Sequence, residues 1–225
     1  MSAVQCRCLA ESPNQWNPAQ PSLVLVHPRW LEEPARLRGA QVVLRNETVA
    51  DAAALLRAGA RRVYLADAAL RQPRACADLA QQFGQDRVGL HVMVQRQAVS
   101  WSIETESNAD FSVMTPSLCA PTWELLFSDG QPSGVHALPW LAEQRGAGVN
   151  TILLRADIDD DADLNLCATA VEQLADALWV APLSQVPREL FDWVQFGQVR
   201  QLVLPTALYA QRHALLKPRA APLAA

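Results

Sequence analysis

Eight short apolar runs, separated by longer stretches with helical periodicity, constrain the fold more than any other feature of this 225-residue sequence. Several runs are rich in β-branched residues, which favour strands, and several intervening stretches end in glycine just before the next run. The runs are 4–10, 22–27, 40–45, 62–67, 87–94, 151–156, 177–183 and 201–206. Alternating strands and helices predict an α/β fold with a mostly parallel sheet, and eight such units predict a (β/α)8 TIM-type barrel. An open doubly wound sheet is the alternative.

Two regions depart from eight equal βα units. The segment 11–21, ESPNQWNPAQP, is too short and too rich in proline for a helix, so the first barrel helix is predicted to be missing. The second helix is predicted to shrink to about ten residues, 28–37, because Pro34 interrupts it. The segment 95–132 is too long for an ordinary loop, so we expect an insertion at the barrel mouth after the fifth strand.

Domain organisation follows from the same pattern. No internal linker rich in glycine, serine or proline divides the chain, so residues 1–217 are predicted to form a single barrel that is truncated in its first βα units. The last eight residues, 218–225, are predicted to be a flexible tail.

Composition and charge exclude several classes of function. Half of the residues are hydrophobic, which is enough for a large core. The net charge is −4 and the sequence has no basic run, so nothing indicates a positively charged surface that would bind nucleic acid. No apolar run is long enough to cross a membrane. The N-terminal residues show no export signal, and five cysteines, an odd count, are typical of reduced thiols. We therefore expect a cytoplasmic protein.

Several motifs follow one another along the chain. ALLRAGARRVYL (54–65) is followed by AAL and Pro73, then by GQPSG (130–134) with Trp140, by GAG (146–148) with ILL, and by LVLPTALYAQR (202–212). On these motifs the sequence from about Leu23 to about Leu216 resembles the HisA/HisF family of histidine biosynthesis. That family comprises the cyclase subunit of imidazole glycerol phosphate synthase and its isomerase relative. The resemblance implies a ribulose-phosphate-binding barrel related to a lyase and an isomerase.

The resemblance also implies two catalytic aspartates at opposite sides of the barrel mouth, which act as general acid and base. Where the first is expected, after the first strand, this sequence has Ala10, and Glu11 follows on the other face. The second position matches the acidic run after the sixth strand, with Asp161 as the best alignment and Asp160 as the alternative. One of the two catalytic groups is therefore missing.

The family's phosphate sites lie at glycine turns, where backbone N–H groups approach the ligand closely. Here the turns after the third and seventh strands, LRNET and APLSQV, contain no glycine. The whole chain has 9 glycines, against about 16 expected from average usage. Ser184 and Thr206 are the candidate remnants of a phosphate site, and helix caps without a ligand are the favoured interpretation of both. We expect no preformed phosphate site.

Two histidines lie near strand ends at or close to positions where the family carries aspartates. These are His27 after the second strand and His91 in the fifth, although an alternative alignment places Met93 at the fifth-strand position. The favoured interpretation is a pair of hydrogen-bonded histidines filling a mouth that no longer binds substrate. The alternative is a new acid and base pair or, together with Asp157 or Asp161, a metal site.

The run DIDDDAD (157–163) places five aspartates within seven residues. A rim carboxylate among so many others has its pKa raised by repulsion unless a cation lies nearby. The run is therefore either a solvated loop, which we favour, or a cation site.

These observations favour a divergent, non-catalytic barrel that acts as a binding or regulatory partner. The alternatives are an active enzyme with altered acid and base residues, using His27, His91 and Asp161, and a working cyclase or isomerase. We expect no cofactor and no resident metal. A second copy or another protein is expected to cover the truncated first quarter. In the family, a glutaminase supplies ammonia through the barrel past charged residues; only Arg62 matches such a position, so we expect no glutaminase partner.

Overall fold

The structure, a computed structural model, describes residues 4–26, 28–97, 121–184 and 190–217. The strands are β1 Gln5–Ala10, β2 Ser22–Leu25, β3 Gln41–Val43, β4 Arg62–Leu65, β5 Val88–Arg96, β6 Trp123–Leu126, β7 Pro132–His136, β8 Ile152–Ala156, β9 Leu178–Pro182 and β10 Gln201–Pro205. The helices are α1 Val49–Arg57, α2 Asp67–Arg71, α3 Ala75–Phe83, α4 Ala137–Gly146, α5 Asp161–Leu174, α6 Leu190–Gln195 and α7 Thr206–Leu215.

Eight of these strands close into a parallel barrel. The order is β4, β3, β2, β1, β10, β9, β8, β5, and β4 pairs with β5 to complete the ring. Each barrel strand lies within or beside one of the eight apolar runs of the sequence. The predicted TIM-type barrel is therefore confirmed, and the open doubly wound sheet is wrong.

Side chains of the barrel strands alternate between two cores, because successive residues of a strand point to opposite faces. An outer core lies between the strands and the surrounding helices. An inner core fills the barrel and consists of Leu9, Leu23, Val43, Tyr64, Leu153, Trp179, Ala181 and Val203. The inner core identifies the strand positions that face the barrel axis.

The first quarter of the barrel contains only 3-10 helices. Among the described residues, Pro13–Gln15 is the one helical segment between β1 and β2, and Pro28–Glu32 and Pro34–Leu37 lie between β2 and β3. Proline occupies the first position of each segment, where its missing N–H costs nothing. Trp16 and Trp30 are partly buried against the outer core, so this segment covers part of the barrel itself.

Strand β5 is longer than its neighbours and continues beyond the barrel. Its last four residues pair antiparallel with β6, from Met93 opposite Leu126 to Arg96 opposite Trp123, and β6 pairs with β7. The predicted insertion spans 95–132, and its described part belongs to the β5 extension and this hairpin. Its residues 98–120 lie outside the described residues. The extent of an insertion relative to the family stays a prediction, as does the single domain 1–217. The predicted tail, 218–225, is also outside the described residues.

Helix α1 begins where the sequence places a capping residue. The hydroxyl of Thr48 accepts the N–H of Asp51, and the Asp51 carboxylate accepts the N–H of Thr48, so α1 starts with a reciprocal capping box. The longest helix, α5, has 14 residues. None of the described helices is long and apolar enough to cross a membrane.

Candidate functional site

The C-terminal ends of all eight parallel strands meet at one end of the barrel, the mouth, where TIM-type barrels hold their ligands. Arg45 follows Val43 by two positions, and Arg155 follows Leu153 by two, so both arginines continue inward-facing rows of their strands. We call the side chains that lie above the inner core at this end the mouth cluster; it consists of Arg45, His91, Met93 and Arg155.

The register between β5 and β8 brings three of these side chains together. His91 pairs with Leu153 and Met93 pairs with Arg155, so His91 and Met93 face the barrel interior on β5 beside Arg155 on β8. The guanidinium of Arg45 crosses toward them, with one terminal nitrogen 3.7 Å from the Met93 sulfur. The mouth cluster is therefore a contiguous group of side chains from three strand ends.

Arg155 is buried, with only 8% of its surface exposed. Its Nε and one terminal nitrogen each donate to a backbone carbonyl, of Pro182 and Leu183, at 3.2 Å. Its other terminal nitrogen is buried and has no acceptor among the described residues. Burial, and next the charge of Arg45, lower the pKa of Arg155 to about 10. A buried cation therefore keeps a free donor in the mouth.

Arg45 is in a similar position at the end of β3. The side chain is half-buried, and its Nε has no acceptor among the described residues. Burial lowers the pKa of Arg45, while the carboxylates of Asp67 and Glu11 raise it. Glu11 also raises the pKa of Arg155. The exposed Glu11 at the end of β1 therefore lies on the same side of the barrel as both arginines.

His91 is the most deeply buried polar residue of the cluster, with 1% of its surface exposed. Its Nδ1 lies 3.0 Å from the carbonyl oxygen of Leu44, which makes Nδ1 the protonated nitrogen. Its Nε2 is then a lone-pair acceptor, and it is buried without a partner among the described residues. Burial, and next the charges of Arg155 and Arg45, lower the pKa of His91 to about 3. The imidazole is therefore neutral at physiological pH.

Two buried carboxylates beside the mouth bind groups of the neighbouring elements. Glu47 accepts the N–H groups of Ala66 at 2.7 Å and Ala68 at 3.2 Å, so it caps the start of α2. Burial raises the pKa of Glu47 above its usual value. Asp67 accepts the N–H and hydroxyl of Ser128, at 2.8 and 2.7 Å. These bonds hold α2 and the hairpin against the strand ends.

The acidic run after β8 forms the start of α5. Asp160 is its N-cap and accepts the N–H groups of Ala162 and Asp163 at 3.0 and 3.1 Å. Asp160 also pairs with Arg96 of the β5 extension, and this hydrogen bond lowers the pKa of Asp160 to about 2. Asp161, the best-aligned candidate, is exposed in the first turn of the helix.

Asp163 also attaches the start of α5 to the β5 extension. It is buried, accepts the indole N–H of Trp123 at 3.3 Å, and lies 3.4 Å from a terminal nitrogen of Arg96. The run therefore anchors the β5–β6 extension to α5. No described hydrogen bond or ion pair joins Asp161 to His91, and a catalytic role for Asp161 stays a prediction.

The other predicted site residues are dispersed. His27 lies outside the described residues. The N–H of Ser184 donates to the Asp157 carboxylate at 2.7 Å. The hydroxyl of Thr206 lies 3.5 Å from the Leu9 carbonyl oxygen, to which it donates. The predicted phosphate role of Ser184 and Thr206 stays a prediction, but both groups have protein partners. Within the described ranges, no group of three or more histidines, cysteines or carboxylates could hold a metal ion.

Arg45 and Arg155 were not among the site residues predicted from the sequence. Each stands at the end of an apolar strand, in LRNET and TILLRA, where a charged side chain that continues the inward row must enter the mouth. Only the alternation of inward-facing and outward-facing positions along each strand could have identified these arginines, because arginine by itself is common on protein surfaces.

Comparison with known proteins identifies relatives of this barrel. The chain is 34% identical over 110 residues to the imidazole glycerol phosphate synthase subunit HisF of Mycobacterium leprae and of Mycobacterium tuberculosis. Over about half of its length, the chain is therefore a distant homologue of HisF. The matched segment makes up 48% of this chain but only 36% of each HisF relative. No protein-family model matches the sequence.

The match to HisF confirms the resemblance that the motifs indicated. HisF is a subunit of imidazole glycerol phosphate synthase by name, and the match covers little more than a third of it. A shared barrel does not carry activity with it, because function depends on the groups at the mouth. Any activity of this HisF-like chain must therefore be argued from the mouth cluster.

Proposed function

We propose that this chain is a divergent HisF-like barrel that lacks the family's chemistry on a phosphoribosyl substrate and acts as a binding or regulatory protein. One observation carries the proposal: the mouth cluster presents two guanidinium groups and a neutral imidazole. General acid and base catalysis needs groups that exchange protons near the working pH. The pKa of His91, about 3, and that of Arg155, about 10, both lie far from neutrality.

The carboxylates near the mouth support the same conclusion. Strand β1 ends in Ala10, and the carboxylate that follows β8, Asp157, accepts the N–H of Ser184. Glu47 has a raised pKa, but both of its described hydrogen bonds are to the start of α2. These contacts support the proposal that the mouth holds no acid and base pair of the family's kind.

One described backbone N–H group at each of the two relevant turns already has a protein acceptor. The N–H of Asn46, after β3, donates to the hydroxyl of Ser128 at 3.1 Å. The N–H of Ser184, after β9, donates to the Asp157 carboxylate. A phosphate at either turn would have to displace these partners and would meet the negative charge of Asp157 at the second. This supports a mouth that does not bind a bis-phosphorylated sugar.

Isothermal titration with ribulose 1,5-bisphosphate tests the proposal. We expect no saturable heat up to about 1 mM, a binding free energy weaker than about −4 kcal/mol. A HisF subunit from one of the relatives is titrated with the same probe for comparison. Tight binding that is lost when Arg155 is changed would contradict the proposal and favour the alternative, an active enzyme related to the cyclase or the isomerase.

Packing at the opposite end of the barrel bears on the glutaminase. Arg7 stacks on Trp179, 3.8 Å from the ring centroid, and donates to the side-chain oxygen of Gln41 at 3.3 Å. The hydroxyl of Tyr64 donates to the same oxygen at 3.1 Å. Tyr64 lies against Gly89, where an added Cβ would come within 2.9 Å of its ring. This filled interior supports the proposal that ammonia does not pass through the barrel.

The predicted gate residue supports it as well. Arg62 is partly exposed, and its Nε donates to the backbone carbonyl of Asp86 at 2.7 Å. Such a hydrogen bond holds the side chain at the end of its strand. We therefore propose that no glutaminase docks on this chain, and that a second copy or another protein covers the first quarter of the barrel.

Co-expression with a bacterial glutaminase subunit, followed by size-exclusion chromatography with light scattering, tests both partner proposals. We expect the two proteins to elute separately and glutamine hydrolysis to remain unstimulated, and a HisF relative is run in the same assay for comparison. A one-to-one complex with stimulated hydrolysis would restore the cyclase interpretation. The light-scattering mass of the chain alone shows whether copies of it associate.

A further inference from the structure

We propose that the mouth cluster binds a small 2-hydroxycarboxylate. The carboxylate would accept hydrogen bonds from Arg45 and Arg155, and the adjacent hydroxyl would donate to Nε2 of His91. This inference rests on the proposed function, because it requires a mouth that is free of a bis-phosphorylated substrate.

The donors come from two separate strand ends. Nε of Arg45 and one terminal nitrogen of Arg155 are buried and have no acceptor among the described residues. A buried donor without a partner is costly, so a ligand that supplies two oxygen acceptors recovers this cost on binding. Guanidinium groups favour planar carboxylates because their N–H groups form a rigid fork.

The acceptor comes from β5. Nδ1 of His91 donates to the Leu44 carbonyl, which leaves the lone pair of Nε2 for a donor. The imidazole is 1% exposed, so this nitrogen gains no hydrogen bond from bulk water. A carboxylate alone has no proton to offer it. A hydroxyl next to the carboxylate supplies the missing donor, and the three free groups of the cluster then all find partners.

The balance of charge favours a monoanion. Two cations face the mouth, and they are offset by Glu11 and Asp157, which both raise the pKa of Arg155, and by Asp67, which raises that of Arg45. A phosphate dianion would meet these carboxylates with twice the charge. A monoanionic carboxylate is repelled less, and it needs only the two donors that the arginines leave free.

Met93 is the flexible side chain of the mouth cluster. Met93 lies against Arg45 and is paired in register with Arg155, and an unbranched methionine changes conformation at low cost. A cleft of about 680 Å³ beside the mouth is bounded by Asp157 and Leu183, and the carbonyl of Leu183 accepts from Arg155. The cleft therefore adjoins the backbone that binds the Arg155 guanidinium.

Titration calorimetry and thermal shift with glycolate, acetate and inorganic phosphate as probes test the inference at constant ionic strength. We expect glycolate to bind saturably with a Kd on the order of 1 mM, which is within the limit for so small a ligand. Acetate, which lacks the hydroxyl, is expected to bind about 5- to 10-fold more weakly. Phosphate is expected to bind no more tightly than acetate.

Variants separate the site from a general effect of charge. Arg155→Gln and Arg45→Gln are each expected to weaken glycolate binding at least ~10-fold. The matched control is Arg74→Gln, which removes the same charge from a side chain that is 85% exposed, and it is expected to leave glycolate affinity unchanged. Because Arg155 holds two carbonyls and its variant risks misfolding, the half-buried Arg45 provides the second test.

Nitrogen NMR of the wild-type imidazole supplies a readout that needs no variant. Glycolate, but not acetate, is expected to shift the resonance of the unprotonated nitrogen of His91 as it accepts a hydrogen bond. The inference is overturned if glycolate does not bind, if glycolate and acetate bind equally, or if Arg45→Gln binds like the control. Failure of the proposed function gives a different result, the binding of ribulose 1,5-bisphosphate, so the two failures are distinguishable.

Discussion

Acidification from pH 6.5 to about pH 3 is expected to destabilise the protein steeply because of His91. Its pKa is about 3 in the folded protein, against an ordinary value of 6.5. Between these two values the unfolded chain therefore binds a proton at His91 and the folded chain does not. The contribution of the neutral, buried His91 to stability is fully present above pH 6.5. Below that pH the free energy of unfolding falls by about 1.4 kcal/mol per pH unit, and by roughly 5 kcal/mol in total at pH 3.

Urea unfolding at a series of pH values between 7 and 4 measures this effect. In the variant His91→Gln the proton-binding group is absent, so the dependence on pH in this window is expected to flatten. His136→Gln is the matched control, because His136 is exposed at the start of α4 and its loss should leave the steep dependence in place. Equal dependences in both variants would show that His91 is not the group responsible.

An NMR titration of the wild-type protein covers the case in which His91→Gln fails to fold. The carbon-bound protons of the His91 imidazole are expected to show no titration until the protein itself unfolds. A midpoint near 6.5 would mean that water reaches the ring, and it would also remove the basis for a neutral acceptor in the mouth.

The architecture was predictable because the sequence signals for its strands and helices are local. Each barrel strand is a short apolar run, and most runs are followed by a helix with its own start and stop signals. Thr48 is one such signal, and it caps α1 as the sequence indicated. Eight repetitions in one chain leave few other folds available, so closure of the sheet followed without any knowledge of contacts.

The side of the barrel wall to which each strand residue points was not predictable in the same way. Parallel strands in a barrel are buried on both faces, so their sequences lack the alternation that marks an inside and an outside. In ILLRA, Leu153 lies in the inner core and the adjacent Leu154 in the outer core, although both are leucine and both are fully buried. Arg155 was missed as a mouth residue for this reason.

The acidic run shows a second limit. From the sequence it was interpreted as a solvated loop or a cation site, with Asp161 as a candidate acid or base. The partner that explains it is Arg96, 64 residues before Asp160, on a strand extension whose position depends on the whole sheet. Contacts between residues so far apart in the sequence are set by tertiary packing, and no local sequence pattern predicts them. His91, by contrast, was found because it lies near a strand end, at or close to a position where the HisA/HisF family carries an aspartate.

Truncation of Trp179 to alanine is expected to lower the free energy of unfolding by about 3–5 kcal/mol, the cost of removing a large buried aromatic ring. Trp179 is 5% exposed and belongs to the inner core. Its ring also carries the guanidinium of Arg7 at 3.8 Å, so the variant loses a cation–π contact as well as packing area. The pKa of Arg7 is already lowered by burial.

Chemical denaturation followed by circular dichroism measures the change at pH 7, where His91 is neutral in both proteins. Phe196→Ala is the control, because Phe196 is 60% exposed and its truncation is expected to change stability by no more than about 0.5 kcal/mol. Trp179→Phe keeps a ring beneath Arg7 and should fall between the two. If Trp179→Ala costs no more than the control, the barrel centre is not packed, and the argument against passage of ammonia through it loses its physical basis.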